Sequence, residues 1–141
     1  MKLLILSILI LATSNQVNAK IYTKCELARK LDGTFSRNKL PDWMCLVKHE
    51  SSYNSRTKGT RNKNGSYDYG IFQINDKYWC KVGSAGGDCN IDCGKFLNDD
   101  ITDDITCAKK IFNRHGFEAW YGWKNNCKGK SLDAYSVNEC F

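Results

Sequence analysis

Eight cysteines, at positions 25, 45, 80, 89, 93, 107, 127 and 140, follow an N-terminal stretch that contains none, and no other feature constrains the chain as much. That stretch is Lys2, an apolar run from Leu3 to Ala12, and a polar end at Val17-Asn18-Ala19. The order reads as a secretory signal peptide over residues 1–19, cut after the small Ala19, and the run is too short to span a bilayer. The expectation is a secreted, extracellular protein. An even number of cysteines in such a chain implies a disulfide framework, though spacing alone leaves about 105 pairings open. Zinc has little to use, because no CxxC pair occurs and the only imidazoles are His49 and His115.

With the leader removed, residues 20–141 suit one domain with a modest core. Composition does not shift along them, no repeat is visible, and the single proline, Pro41, marks no linker. The formal net charge of +6 becomes +5 once Lys2 goes with the leader. A basic, exported domain favours anionic partners such as bacterial walls, acidic lipids or nucleic acid, and charge does not choose among them.

Periodicity supplies the organisation. Leu27, Ala28 and Leu31 fall at helical spacing within 24–31, and Asp32-Gly33 supplies a stop. Pro41 and Asp42 suit the first turn of a second helix, on which Trp43, Leu46, Val47 and Glu50 share one stripe. From Ser51 to Tyr69 the chain is polar, with Asn64-Gly65 as a tight-turn signal. Alternation over 66–75 predicts strands, with Tyr67, Tyr69 and Ile71 on one face and Asp68, Gly70 and Phe72 on the other. A long helix follows over 100–112, carrying Ile101, Ile105, Ala108, Ile111 and Phe112, and a shorter aromatic piece covers 118–123. Helices, a small antiparallel sheet, then helices make an α+β fold.

Two acids stand in contrasting settings. Glu50 extends an apolar helical stripe, where desolvation favours the protonated form. Asp68 lies among Asn64, Ser66 and Asn75, which suit its charged form. Cleaving a glycosidic bond needs such a pair, one acid to protonate the leaving oxygen and one carboxylate to meet the developing positive charge. Phe72, Phe112, Trp43 and Trp123 read as packing residues, and the helical step points His49 away from Glu50.

The segments KCELARKL, WMCLVKHESSYN, GSYDYGIFQIN, DKYWC, TCAKKIF and AWYGWKNNCKG occur in that order over residues 20–140. In them, and in the order of all eight cysteines, the chain resembles the chicken-type (c-type) lysozymes, on the side of the invertebrate members. The resemblance implies a lysozyme-like fold with a helical lobe and a small sheet lobe. It implies disulfides Cys25–Cys140, Cys45–Cys127, Cys80–Cys93 and Cys89–Cys107. It implies an antibacterial muramidase acting on peptidoglycan with retention of configuration, Glu50 as proton donor and Asp68 as nucleophile or charge stabiliser. Asn62, Gln73, Asn75, Tyr78, Trp79, Ala119 and Trp120 then line the sugar cleft. The chain departs from the hen-type pattern at Tyr78, which stands in place of a tryptophan, at Asn113-Arg114-His115, which replaces an acidic rim, and in one extra residue between Glu50 and Asp68.

Residues 95–104 resemble the calcium loop of α-lactalbumin and the calcium-binding lysozymes. Carried over, Lys95 and Asp100 give carbonyls and Asn98, Asp103 and Asp104 give side chains, with an amide at Asn98 where the calcium proteins have a carboxylate. Read without a metal, Asp100, Asp103 and Asp104 are acids favoured at a helix start. The muramidase itself requires no cofactor. The expected partner is cell-wall peptidoglycan, not nucleic acid or a membrane interior, and the expected state is a monomer. The alternative is a non-catalytic lysozyme-like or α-lactalbumin-like binding protein, which retention of both acids disfavours.

Overall fold

The structure, a computed structural model, describes residues 19–141, so all of the expected signal peptide except Ala19 lies outside the described residues. Helix α1, Lys24–Leu31, begins at a capping box. Thr23 Oγ1 accepts from the Glu26 N–H, and the Glu26 carboxylate accepts from the Thr23 N–H. Helix α2, Leu40–Ser51, carries Pro41 in its first turn and ends where Ser52 turns left-handed at φ 51°. Its apolar stripe is fully buried at Trp43, Leu46 and Val47.

Helix α3, Thr102–His115, starts later than Asp100 and outruns Phe112. Asp100 stays outside it because its carboxylate accepts from both the N–H and the hydroxyl of Thr102. At the other end Gly116, at φ 64°, stops it. The aromatic piece expected over 118–123 divides into a 3-10 turn, Gly116–Ala119, and helix α4, Tyr121–Asn126, with Trp120 extended between them.

The continuous alternation expected over 66–75 is replaced by two short strands. β1, Asp68–Tyr69, pairs antiparallel with β2, Ile74–Asn75, placing Asp68 opposite Asn75. Between them Gly70 (φ 75°) and Gln73 (φ 49°) fold the chain back, so Ile71 and Phe72 are both buried instead of facing opposite ways. Gly70 cannot be replaced freely. A Cβ there would lie 2.4 Å from the Phe96 carbonyl oxygen and 2.5 Å from the Asp104 carboxylate.

Trp43 centres the core, with Phe35, Phe72, Phe112, Phe117 and Trp120 around it at ring-centroid distances of 4.2–5.6 Å. Two hydrogen bonds fasten the strand turn to this core. The Trp120 indole N–H donates to the Phe72 carbonyl (2.9 Å) and the Ser51 hydroxyl to the Ile71 carbonyl (2.7 Å). Disulfides join Cys25 to Cys140, Cys45 to Cys127, Cys80 to Cys93 and Cys89 to Cys107. The start of the described chain is tied down as well. The Lys20 carbonyl accepts from the Ser55 N–H, and the Lys20 backbone N donates to Asp99, a carboxylate also held by Ser55 and by two nitrogens of Arg56.

Candidate active site

A cleft of about 700 Å³ runs between the end of α2, the strand pair and the Gly116–Asn126 segment. Its walls bring together Glu50, Asn62, Asp68, Gln73, Asn75, Tyr78, Trp79, Ala119 and Trp120, every position the sequence assigns to catalysis or sugar binding.

Glu50 sits in the last turn of α2, where its side chain continues the buried stripe. Its Oε1 accepts one hydrogen bond, from the Gly122 N–H at 2.8 Å. Burial pushes its carboxyl above the usual glutamate range. The Gly122 bond opposes that shift and the charge of Asp68 adds to it. Asp68 is different. Its two oxygens accept from the carboxamides of Asn75 (2.8 Å) and Asn62 (3.0 Å). Both amides also donate to the Ser66 hydroxyl, which in turn donates to Asn64. Of the expected partners Asn75 is direct and Ser66 and Asn64 are indirect, while Asn62 is a second direct partner. One acid thus lies in a desolvated corner and the other accepts from a neutral carboxamide on each oxygen.

The remaining wall residues divide by what they have free. Gln73 spends its amide hydrogens on the Thr57 and Gly70 carbonyls, so it braces the turn and offers the cleft only its oxygen. Trp120 is 4% exposed, a wall more than a stacking face, whereas Tyr78 is 59% exposed. His49 faces solvent beside the Tyr135 hydroxyl, as the helical step requires. Periodicity missed Lys63, Ile111 and Tyr121, which also line the cleft, and the backbone N–H of Gly122. Tyr121, 74% exposed, could have been found only by placing the start of α4 correctly.

The calcium-loop residues do not converge in the same way. The Asn98 amide donates to the Lys95 carbonyl, and its oxygen accepts from the Asp100 N–H, so two candidate groups, the Lys95 carbonyl and the Asn98 side chain, are already hydrogen-bonded. Asp103 is exposed. Asp104 is fully buried with both carboxylate oxygens lacking a hydrogen-bond partner. Among the described residues, the donor atoms of Cys25, Glu139 and Cys140 do cluster, but both sulfurs are spent in a disulfide.

The family model for "C-type lysozyme/alpha-lactalbumin family" matches residues 20–140. The chain is 55% identical to Lysozyme c-1 of Anopheles gambiae, with 94% of this chain and 93% of that protein covered. It is 49% identical to a lysozyme of Bombyx mori over 96% of this chain and 98% of that one. Among solved structures, recombinant wild-type canine milk lysozyme superposes with a TM-score of 0.77 at 46% identity, covering 86% of this chain and 99% of that chain. No helix among the described residues is long and apolar enough to cross a membrane. Lysozymes are glycoside hydrolases, and with matches of this length and identity the chain belongs to the C-type lysozyme/alpha-lactalbumin family.

Proposed function

We propose that this chain is a muramidase that hydrolyses the β-1,4 bond between N-acetylmuramic acid and N-acetylglucosamine in bacterial peptidoglycan. In this reading it is secreted as a monomer after cleavage behind Ala19, and it is antibacterial. The supporting observation is the contrast between two carboxyls in one cleft, Glu50 desolvated and Asp68 held by Asn62 and Asn75. Glu50, protonated, gives its proton to the glycosidic oxygen as the bond breaks. Asp68, ionised, meets the positive charge that develops on the sugar, as nucleophile or as countercharge. Glu50, now anionic, then takes a proton from the incoming water. Retention of configuration belongs to the proposal through the family likeness. The excess of basic residues concentrates the protein on anionic walls. No cofactor enters this chemistry.

A calcium ion is a separate proposal, favoured by one observation, the two unpartnered oxygens of buried Asp104. Lys95, Asn98, Asp100, Asp103 and Asp104 would hold it. The ion would have to displace the Asn98–Lys95 hydrogen bond, and the amide at 98 brings no charge, so binding would be weak.

Turbidity of a Gram-positive cell-wall suspension tests the muramidase. Purified residues 20–141 should clear it, releasing reducing sugar that ends in muramic acid. A folded protein that leaves walls intact would place the chain with the binding members of its family.

A further inference from the structure

Beside the catalytic cleft, and sharing Tyr78, Trp79 and Ala119 with it, lies a second hollow of about 420 Å³ closed by Asp88, Arg114 and His115. It contains neither Glu50 nor Asp68, and through its shared wall at Tyr78, Trp79 and Ala119 it continues the cleft. Arg114, in the last turn of α3, is fixed from two sides. Its guanidinium pairs with the Asp88 carboxylate and lies 5.2 Å from the centroid of the Trp79 ring. His115 meets the same ring edge-on at 5.8 Å. Lys110 donates to the Asp88 backbone carbonyl, so two cations, Arg114 and Lys110, act on the one Asp88 carboxylate, and Lys77 adds a third positive charge to the rim, 5.2 Å from the Tyr78 ring.

A neutral hexosamine needs an aromatic face and neutral hydrogen-bond partners, both of which the cleft already has. Surplus positive charge at the rim is of no use to it. Arg114 donates a single N–H to Asp88, and a guanidinium carries five in a flat fork that matches a carboxylate. Because Asp88 and Trp79 already hold the group, little further ordering opposes binding.

Building on the muramidase reading, we infer that Arg114, seated on Trp79 by Asp88, is a specificity residue that binds a carboxylate carried by the glycan, so that acid-bearing chains are preferred over unsubstituted ones. Peptidoglycan offers that chemistry from two sources, the lactyl acid of muramic acid where no peptide is attached and the carboxylates of the peptide where one is. Arg114 is half-exposed, so its effect falls on KM and weakens with salt.

The experiment compares wild type, Arg114→Gln and Arg114→Lys on three soluble substrates. These are chitohexaose, which has no carboxylate, glycan strands stripped of peptide by an amidase, which frees the lactyl acid, and strands with their peptides, whose acids are those of the peptide. Arg114→Gln should raise KM on one or both acid-bearing substrates about tenfold more than on chitohexaose, the factor that corresponds to ~1.4 kcal/mol. Loss on the stripped strands alone assigns the lactyl acid, which the peptide-bearing strands hold as an amide, loss on the peptide-bearing strands alone assigns a peptide carboxylate, and loss on both means that Arg114 takes either. Arg114→Lys should fall between, having the charge without the fork. A KM rise equal on all three substrates would mean that Arg114 only props Trp79 and would overturn the inference, as would no change on any. Wild-type protein that cuts none of the three would bring down the muramidase reading first and this inference with it.

Discussion

Glu50 and Asp68 differ in what surrounds them, and that difference sets the behaviour expected of each. For Glu50 the shift comes first from burial, so its carboxyl keeps its proton above the ordinary glutamate range. Activity should therefore be lost as Glu50 gives up its proton, on an alkaline limb that lies above pH 4.5. Glu50→Gln should lose ~10²-fold or more in kcat, together with that limb, while circular dichroism and melting show a folded protein. Asp68→Asn should lose a comparable factor, because its amide cannot supply the charge that meets the oxocarbenium-like transition state. Near wild-type rates in either folded variant would remove that residue from the mechanism. Both acids were legible in the sequence, but their surroundings were only partly so. Asn75 donates directly as expected, but Ser66 and Asn64, close in sequence to Asp68, do not, and Asn62, six residues back, does, because the Asn64-Gly65 turn brings it round.

At the scale of elements, legibility follows how local the determining forces are. Helix α1 was readable to its ends because its cap and its apolar stripe lie within ten residues. Helix α3 was readable in its middle and not at its start, where Asp100 uses its side chain to form a turn in place of the first helical residue. The strands were misread because alternation assumes extended backbone throughout, and the positive φ of Gly70 and Gln73 breaks it. Gly70 is the extreme case, since the space for its Cβ is taken by Phe96 and Asp104. Gly70→Ala should cost about 2–4 kcal/mol from backbone strain and overpacking together, read as a lowered Tm. It should also depress activity by shifting β1, which carries Asp68. An unchanged Tm would mean that the turn relaxes freely.

For the whole molecule, the calcium proposal and the buried Asp104 carboxyl give one linked test. Burial raises that carboxyl to about 8. The folded state then keeps a proton that the unfolded chain releases near pH 4, so this group's contribution to stability is present below pH 4 and is lost as pH rises through about 8. A bound cation would compensate the charge as it appears. Millimolar calcium should therefore raise Tm over a chelator more at pH 8 than at pH 5, and Asp104→Asn should abolish the increment. Equal melting temperatures at matched ionic strength would leave residues 95–104 as a metal-free loop.

The anchoring of Lys20 bears on secretion itself. Cutting behind Ala19 would turn the Lys20 backbone N–H into an ammonium, 3.2 Å from a carboxylate that the Arg56 hydrogen bonds, ahead of other contacts, already hold down to about 2. A freshly made chain end becomes a charged tenon in a waiting mortise, so protein still bearing an N-terminal residue, such as a retained initiator methionine, should melt a few degrees lower. Asp99→Asn should bring the two forms level. Their difference should persist from neutral pH downward and close only as Asp99 takes up its proton near pH 2, since a depressed carboxyl stabilises above its ordinary range and ceases to do so as pH falls through its folded value. The peptidase that trims the leader would then act as an assembly step, completing the ion cluster that seats the first residues against Ser55 and Arg56.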